Sequence, residues 1–155
     1  MTDDANARPV LDQVNLVASD VDASIEFYRR LGLDVPDGDW PGGIRHAEVE
    51  MPGGFEFAID NETVAHVYNA EWRRPGGGKR ALIGFRVASR AAVDEKYTEL
   101  TSYGYRGVQV PYDAFWGSRY AIVADPDGNE VGLMSPPDDD KRSSAPSNSP
   151  DAADA

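Results

Sequence analysis

A chain of 155 residues has the length of a single domain, and 41% hydrophobic content suits a globular protein rather than a disordered one. A formal charge of −12 disfavours nucleic acid, whose binding needs a basic surface to release counterions, and would instead steer a cationic small molecule. The absence of cysteine excludes disulfides, thiolate nucleophiles and thiolate metal sites, and no run approaches the roughly 18 apolar residues of a membrane helix.

Residues 1–10 open on Met1-Thr2-Asp3-Asp4 and predict a flexible N-terminus without a secretory signal, so the cytoplasm is the expected location. From Leu11 to Ala18, Val14, Leu16 and Ala18 alternate with Gln13, Asn15 and Val17, the period of a strand with one face under a helix. Asp20 stands as N-cap, Ile25, Tyr28 and Leu31 recur at helical spacing, and Gly32 supplies the left-handed stop. Pro36-Asp37-Gly38 and Pro41-Gly42-Gly43 break the chain before a strand, Ile44 to Met51, that opposes Ala47, Val49 and Met51 to His46, Glu48 and Glu50. After Pro52-Gly53-Gly54, a further strand sets Phe55, Phe57 and Ile59 against Glu56, Ala58 and Asp60.

Residues 61–79 have no period and end in Arg73-Arg74-Pro75-Gly76-Gly77-Gly78, a connector between modules. Beyond it Ile83, Phe85 and Val87 alternate with Leu82, Gly84 and Arg86, Ser89 caps a helix carrying Val93, Tyr97 and Leu100, and Gly104 ends it. A shift of 69 positions lays Leu16 on Phe85, Ala18 on Val87, Glu26 on Glu95, Tyr28 on Tyr97 and Leu31 on Leu100, the mark of an internal duplication. The last hairpin runs from Ser118 to Ala124, turns at Asp125-Pro126-Asp127-Gly128 and returns through Glu130 to Met134. The expected fold is α+β: two tandem βαβββ modules, 11–60 and 80–136, forming a curved mixed sheet around a central hollow with the helices on the outer face. From Pro137 to Ala155 the Asp, Ser, Pro and Ala bias predicts a disordered acidic tail.

Trp116-Gly117-Ser118-Arg119-Tyr120, the Asp125-Pro126-Asp127-Gly128-Asn129 turn and the returning strand resemble the last hairpin of the vicinal oxygen chelate superfamily, which includes glyoxalase I, extradiol dioxygenases and bleomycin resistance proteins. The resemblance covers about residues 11–136 and implies the fold, while a shared fold leaves the reaction open. Enzymes of this superfamily hold one divalent metal with His, Gln or Glu from the first and last strands of each module. Carried over, these positions are Gln13 and Glu56 in the first module, both acceptable oxygen ligands, and Leu82 and Gly132 in the second, which offer no side-chain donor. Two donors fall short of the about three protein ligands of a typical catalytic site. The resemblance is therefore to the metal-free, bleomycin-resistance-like branch, whose members are dimers that sequester a cationic antibiotic, and no cofactor is expected.

The candidate ligand-binding residues are Gln13, Asn15, Glu56 and Asp60, joined by His46, Glu48 and Glu50 if their strand turns the same side inward. The second module adds Arg86, a small floor of Leu82, Gly84 and Gly132, and an aromatic loop of Tyr112, Phe115 and Trp116 beside Tyr120, flat surfaces suited to a ring or a cation. Trp72 and Tyr68 in the connector are lid candidates, and Arg86 has an equal claim to a structural pairing with Glu130. The leading expectation is a homodimeric, metal-free binding protein for an aromatic or cationic small molecule, with neither nucleic acid nor membrane as partner. The alternative is a metal-dependent lyase, isomerase or dioxygenase that uses Gln13 and Glu56 with His46 or Asp60. A third reading is a domain whose hollow is closed by its own side chains and which works through dimer contacts.

Overall fold

A computed structural model of the chain describes residues 11–77 and 81–144; the N-terminal ten residues, Gly78 to Arg80 and the tail from Ala145 lie outside the described residues. The chain divides into two compact units, Met1–Arg74 and Pro75–Ala155, each built on a four-stranded mixed sheet.

The first unit runs β1 (Gln13–Val17), α1 (Val21–Leu31), β2 (Asp39–Trp40), β3 (Ile44–Glu50), β4 (Glu56–Asp60) and α2 (Glu62–Tyr68), with the strands in the order β1-β4-β3-β2. The strands β1 and β4 are parallel, and β3 runs antiparallel to both of its neighbours. Asp20 starts α1 by accepting from the Ala23 amide at 3.0 Å, and Gly32, at φ 121°, ends it by donating to the carbonyls of Tyr28 and Arg29. The buried stripe of α1 includes Val21, Ile25, Tyr28 and Leu31. Tyr28 is fully enclosed, its ring centroid 4.9 Å from those of both Phe27 and Phe57. Strand alternation buries Ala47, Phe57 and Ile59 on the same side as that stripe and leaves the polar set on the other.

The helix α2 corrects the expectation of a structureless connector over 61–79. Its start is a side-chain cap, Asn61 Oδ1 accepting from the Val64 amide at 3.1 Å. Seven residues with Ala65 alone buried are too few to display an apolar period.

In the second unit β5 (Leu82–Arg86), α3 (Arg90–Ser102), β6 (Gly107–Asp113), β7 (Arg119–Ala124) and β8 (Glu130–Met134) repeat the plan in the order β5-β8-β7-β6, with β5 parallel to β8. Ser89 caps α3 through the Ala92 amide at 3.1 Å, and the helix buries Val93 and Leu100. In the β7–β8 turn, Asp125 Oδ1 accepts from the amides of Asp127 at 3.0 Å and Asn129 at 2.8 Å, while Gly128 takes φ 81°. Tyr112, expected in a loop, stands on β6, whose ladder with β7 shifts register twice and so hides its alternation. The offset between repeats is 69 residues at β1 and β5 and 74 at β4 and β8.

The expectation of disorder from Pro137 is corrected for residues 138–144. A turn of 3-10 helix at Asp139–Lys141 is capped by Asp138, whose amide donates to the Gly117 carbonyl at 3.0 Å, and the Ser143 amide donates to the Phe115 carbonyl at 2.9 Å. The segment is thus strapped onto the loop before β7, where Gly117 has φ 95° and a Cβ would collide with the Asp138 carbonyl. No helix among the described residues is long and apolar enough to cross a membrane.

Candidate functional site

In the first unit the ladder sets Gln13 beside Glu56 and Glu56 beside Glu50, Asn15 beside Ala58 and Ala58 beside Glu48, and Val17 beside Asp60 and Asp60 beside His46. Residues paired directly across strands share a face. So β3 does turn His46, Glu48 and Glu50 to the side that carries Gln13, Asn15, Glu56 and Asp60, and these seven expected site residues share one polar face.

At the core of that surface, fully buried Asp60 accepts from Asn15 Nδ2 at 2.9 Å and lies 2.5 Å from His46 Nδ1. His46 Nε2 lies 2.9 Å from Glu48 Oε2. A neutral imidazole carries one N–H, so only the imidazolium can donate to both carboxylates at once. Burial pulls the His46 pKa down, but the hydrogen bonds to Asp60 and Glu48 and their charges outweigh it, and the net displacement is upward from 6.5. A group whose folded pKa is raised contributes stability that is complete below its unfolded value and disappears as pH climbs through the folded value. Urea unfolding followed by far-UV circular dichroism is therefore expected to show the wild type losing stability above about pH 6.5 relative to His46→Gln. Parallel pH profiles for the two proteins would refute this protonated bridge.

Trp40, which sequence reasoning missed, sits on the same face: it pairs with Ile44 across β2 and β3, and its indole Nε1 donates to the His46 carbonyl at 3.3 Å. It is 60% exposed. The available signal was its position just before the Pro41-Gly42-Gly43 turn that leads into the His46 strand. Tyr68, at the end of α2, is 56% exposed, and its phenol pKa is raised first by desolvation and then by the nearby Asp60 charge. Trp72 stacks edge-on against His66, centroids 5.5 Å apart, so its ring contact is with α2.

The second unit presents a different surface. Tyr120 gathers Tyr112 at 6.0 Å and Trp116 at 5.4 Å between ring centroids, and Phe115 lies 5.3 Å from Trp116. Arg86 is exposed beside Met134 and has no ion pair among the described residues, so the pairing with Glu130 is not formed. Leu82, 42% exposed, pairs in register with Glu130, and Gly84 with Gly132. A Cβ on Gly132 would lie 2.7 Å from Tyr120 Oη and 3.0 Å from Leu82 Cδ2. The space above that glycine is already filled by a phenol and a methyl group.

The sequence profile of the glyoxalase/bleomycin resistance protein/dioxygenase superfamily matches residues 10–133. The chain belongs to this superfamily. An uncharacterized protein of Mycobacterium bovis is 30% identical over 136 residues, which span 84% of this chain and 86% of the relative. A superfamily structure from Burkholderia phytofirmans covers 80% of this chain and 96% of its own at 19% identity with a TM-score of 0.67. Another, from Nocardioides, covers 90% and 91% at 22% identity with a TM-score of 0.66. At such identities these two speak for the fold.

The superfamily implies a divalent metal, and the second unit does not fit one at the positions carried over from it. Leu82 is hydrocarbon, and a carboxylate at Gly132 would have to displace Tyr120 and Leu82. Within neither unit do three His, Asp or Glu side chains among the described residues converge on a metal-sized point. Strand register adds one residue that counting from the turn missed: Glu130 stands to Leu82 as Glu56 stands to Gln13. Glu130 is half-buried and already has a partner.

Proposed function

We propose that this superfamily member is a metal-free binding protein, a homodimer that sequesters an aromatic or cationic small molecule. The observation that carries the reading is the filling of the second unit's carried-over ligand position by Tyr120 and Leu82, where a metal enzyme would need a donor. The acidic face around Glu48, Glu50 and Glu56 supports a cationic ligand, and the Tyr112, Phe115, Trp116 and Tyr120 cluster supports an aromatic one.

A thermal-shift screen of aromatic and cationic compounds tests it, because a ligand at 100 times its Kd stabilises the native state by about 2.7 kcal/mol. Metal analysis of protein purified without chelators runs beside it. Stoichiometric Ni, Zn, Mn or Fe that is lost on both Glu56→Ala and Glu130→Ala would replace this reading by the alternative, a metal-dependent lyase, isomerase or dioxygenase. The observation that favours the alternative is Glu130, a carboxylate in the register that Glu56 occupies in the first repeat.

A further inference from the structure

The loop that carries Phe115 and Trp116 is a tight turn closed on itself, the Ala114 amide donating to the Ser118 carbonyl at 2.8 Å and the Gly117 amide to the Ala114 carbonyl at 2.9 Å. Two of its carbonyls take their hydrogen bonds from outside the turn. Phe115 receives the Ser143 amide at 2.9 Å, and Gly117 receives the Asp138 amide and Arg90 Nη1, each at 3.0 Å. The place of a side chain on Gly117 is taken by the Asp138 carbonyl and by Arg142 Cγ. The strap that makes these contacts brings no apolar anchor: residues 138–143 read Asp-Asp-Asp-Lys-Arg-Ser, and none of them is buried. The core beneath is complete without them, since Val93, Leu100, Ala121, Val123, Val131 and Leu133 all come from α3, β7 and β8.

A segment held by exposed hydrogen bonds and few apolar contacts opens locally while the rest of the domain stays folded. When this one opens, the Phe115 carbonyl loses the Ser143 amide and Gly117 keeps only Arg90, so the loop is tied at one end alone. The rings it carries are those that meet Tyr120: Trp116 lies 5.4 Å from Tyr120 and 5.3 Å from Phe115 between ring centroids. We propose that residues 138–143 are a detachable clasp that sets Phe115 and Trp116 against Tyr120, so that aromatic binding on the second unit depends on the clasp being closed. The inference deepens the proposed function and rests on its aromatic class of ligand. The coupling is reciprocal: a clasp that favours the ligand when closed is itself held closed by the ligand.

The test compares the full-length wild type with full-length Asp138→Pro/Ser143→Pro, which deletes the two main-chain donors of the strap. Arg142, at φ −70° and ψ 144°, already has the backbone that a following proline requires. The variant is expected to keep the far-UV circular dichroism and the cooperative melting of the wild type. Acrylamide quenching of Trp116, isolated by Trp40→Phe and Trp72→Phe, should rise without any ligand present. Affinity for N-phenyl-1-naphthylamine, a neutral aromatic fluorophore, should fall about fivefold, the low end of coupling between linked sites. In the wild type the saturating fluorophore should slow hydrogen exchange at the Asp138 and Ser143 amides by a similar factor. Loss of the folded signal in the variant overturns the inference, because the strap would then belong to the core. Unchanged quenching, or raised quenching with unchanged affinity, overturns it and leaves the sequestration reading standing. A wild type that binds neither this fluorophore nor any other aromatic removes the aromatic class of ligand and the clasp together.

Discussion

Tyr28→Ala is expected to destabilise the first unit by about 4 kcal/mol, a large share of the roughly 5–15 kcal/mol that holds a typical domain folded. The side chain is fully enclosed between Phe27 and Phe57 and joins α1 to β4, so truncation removes apolar burial and opens a cavity between helix and sheet that the aromatic neighbours cannot collapse to fill. Urea denaturation followed by circular dichroism measures the change. The matched control is Tyr103→Ala at the end of α3, where the residue is 55% exposed and a change below about 0.5 kcal/mol is expected. Equal losses for the two variants would show that the α1 face is not the core described.

Asp60→Ala is expected to cost about 3 kcal/mol, near the lower end for breaking a buried charged pair because one edge of His46 still reaches water. The loss arises from what is left behind: Asn15 Nδ2 without its acceptor and an imidazolium without its buried counter-charge. Asp60→Asn retains an acceptor and should cost less, while lowering the His46 pKa, because one of the two charges that raise it is gone. Proton NMR titration of the His46 ring reads that shift, and an unchanged His46 titration in Asp60→Asn would remove Asp60 from the pair.

The sequence spoke for the fold wherever side-chain spacing is the cause of structure. Gln13 to Val17 and Leu82 to Arg86 alternate because each sheet has one face under a helix, and Asp20 and Ser89 mark helix starts because amides there need acceptors. It was silent where pairing or main-chain bonds decide. The segment around Asp139–Lys141 is held by amides of Asp138 and Ser143, which composition does not encode. In the candidate site the polar set was legible because alternate residues of a strand share a face. Trp40 was not, since a two-residue strand has no period and its place follows only from pairing with Ile44. Counting from the Asp125 turn likewise reached Gly132 and passed over Glu130, because a turn fixes distance along one strand and says nothing of which residue lies alongside on the parallel neighbour.

In each unit the opening strand finds its only hydrogen-bonded strand neighbour among the described residues in the closing one, β1 with β4 and β5 with β8. Such distant partnerships put the chain among slow folders, because a long loop must close before the ladder forms. During vectorial synthesis β1 must wait, with Val14 and Leu16 unpaired, until Asp60 has emerged, and β5 likewise, with Ile83 and Phe85 unpaired, until Glu130 to Met134 has left the ribosome. Translation that pauses within either interval would leave a sticky unpaired edge exposed.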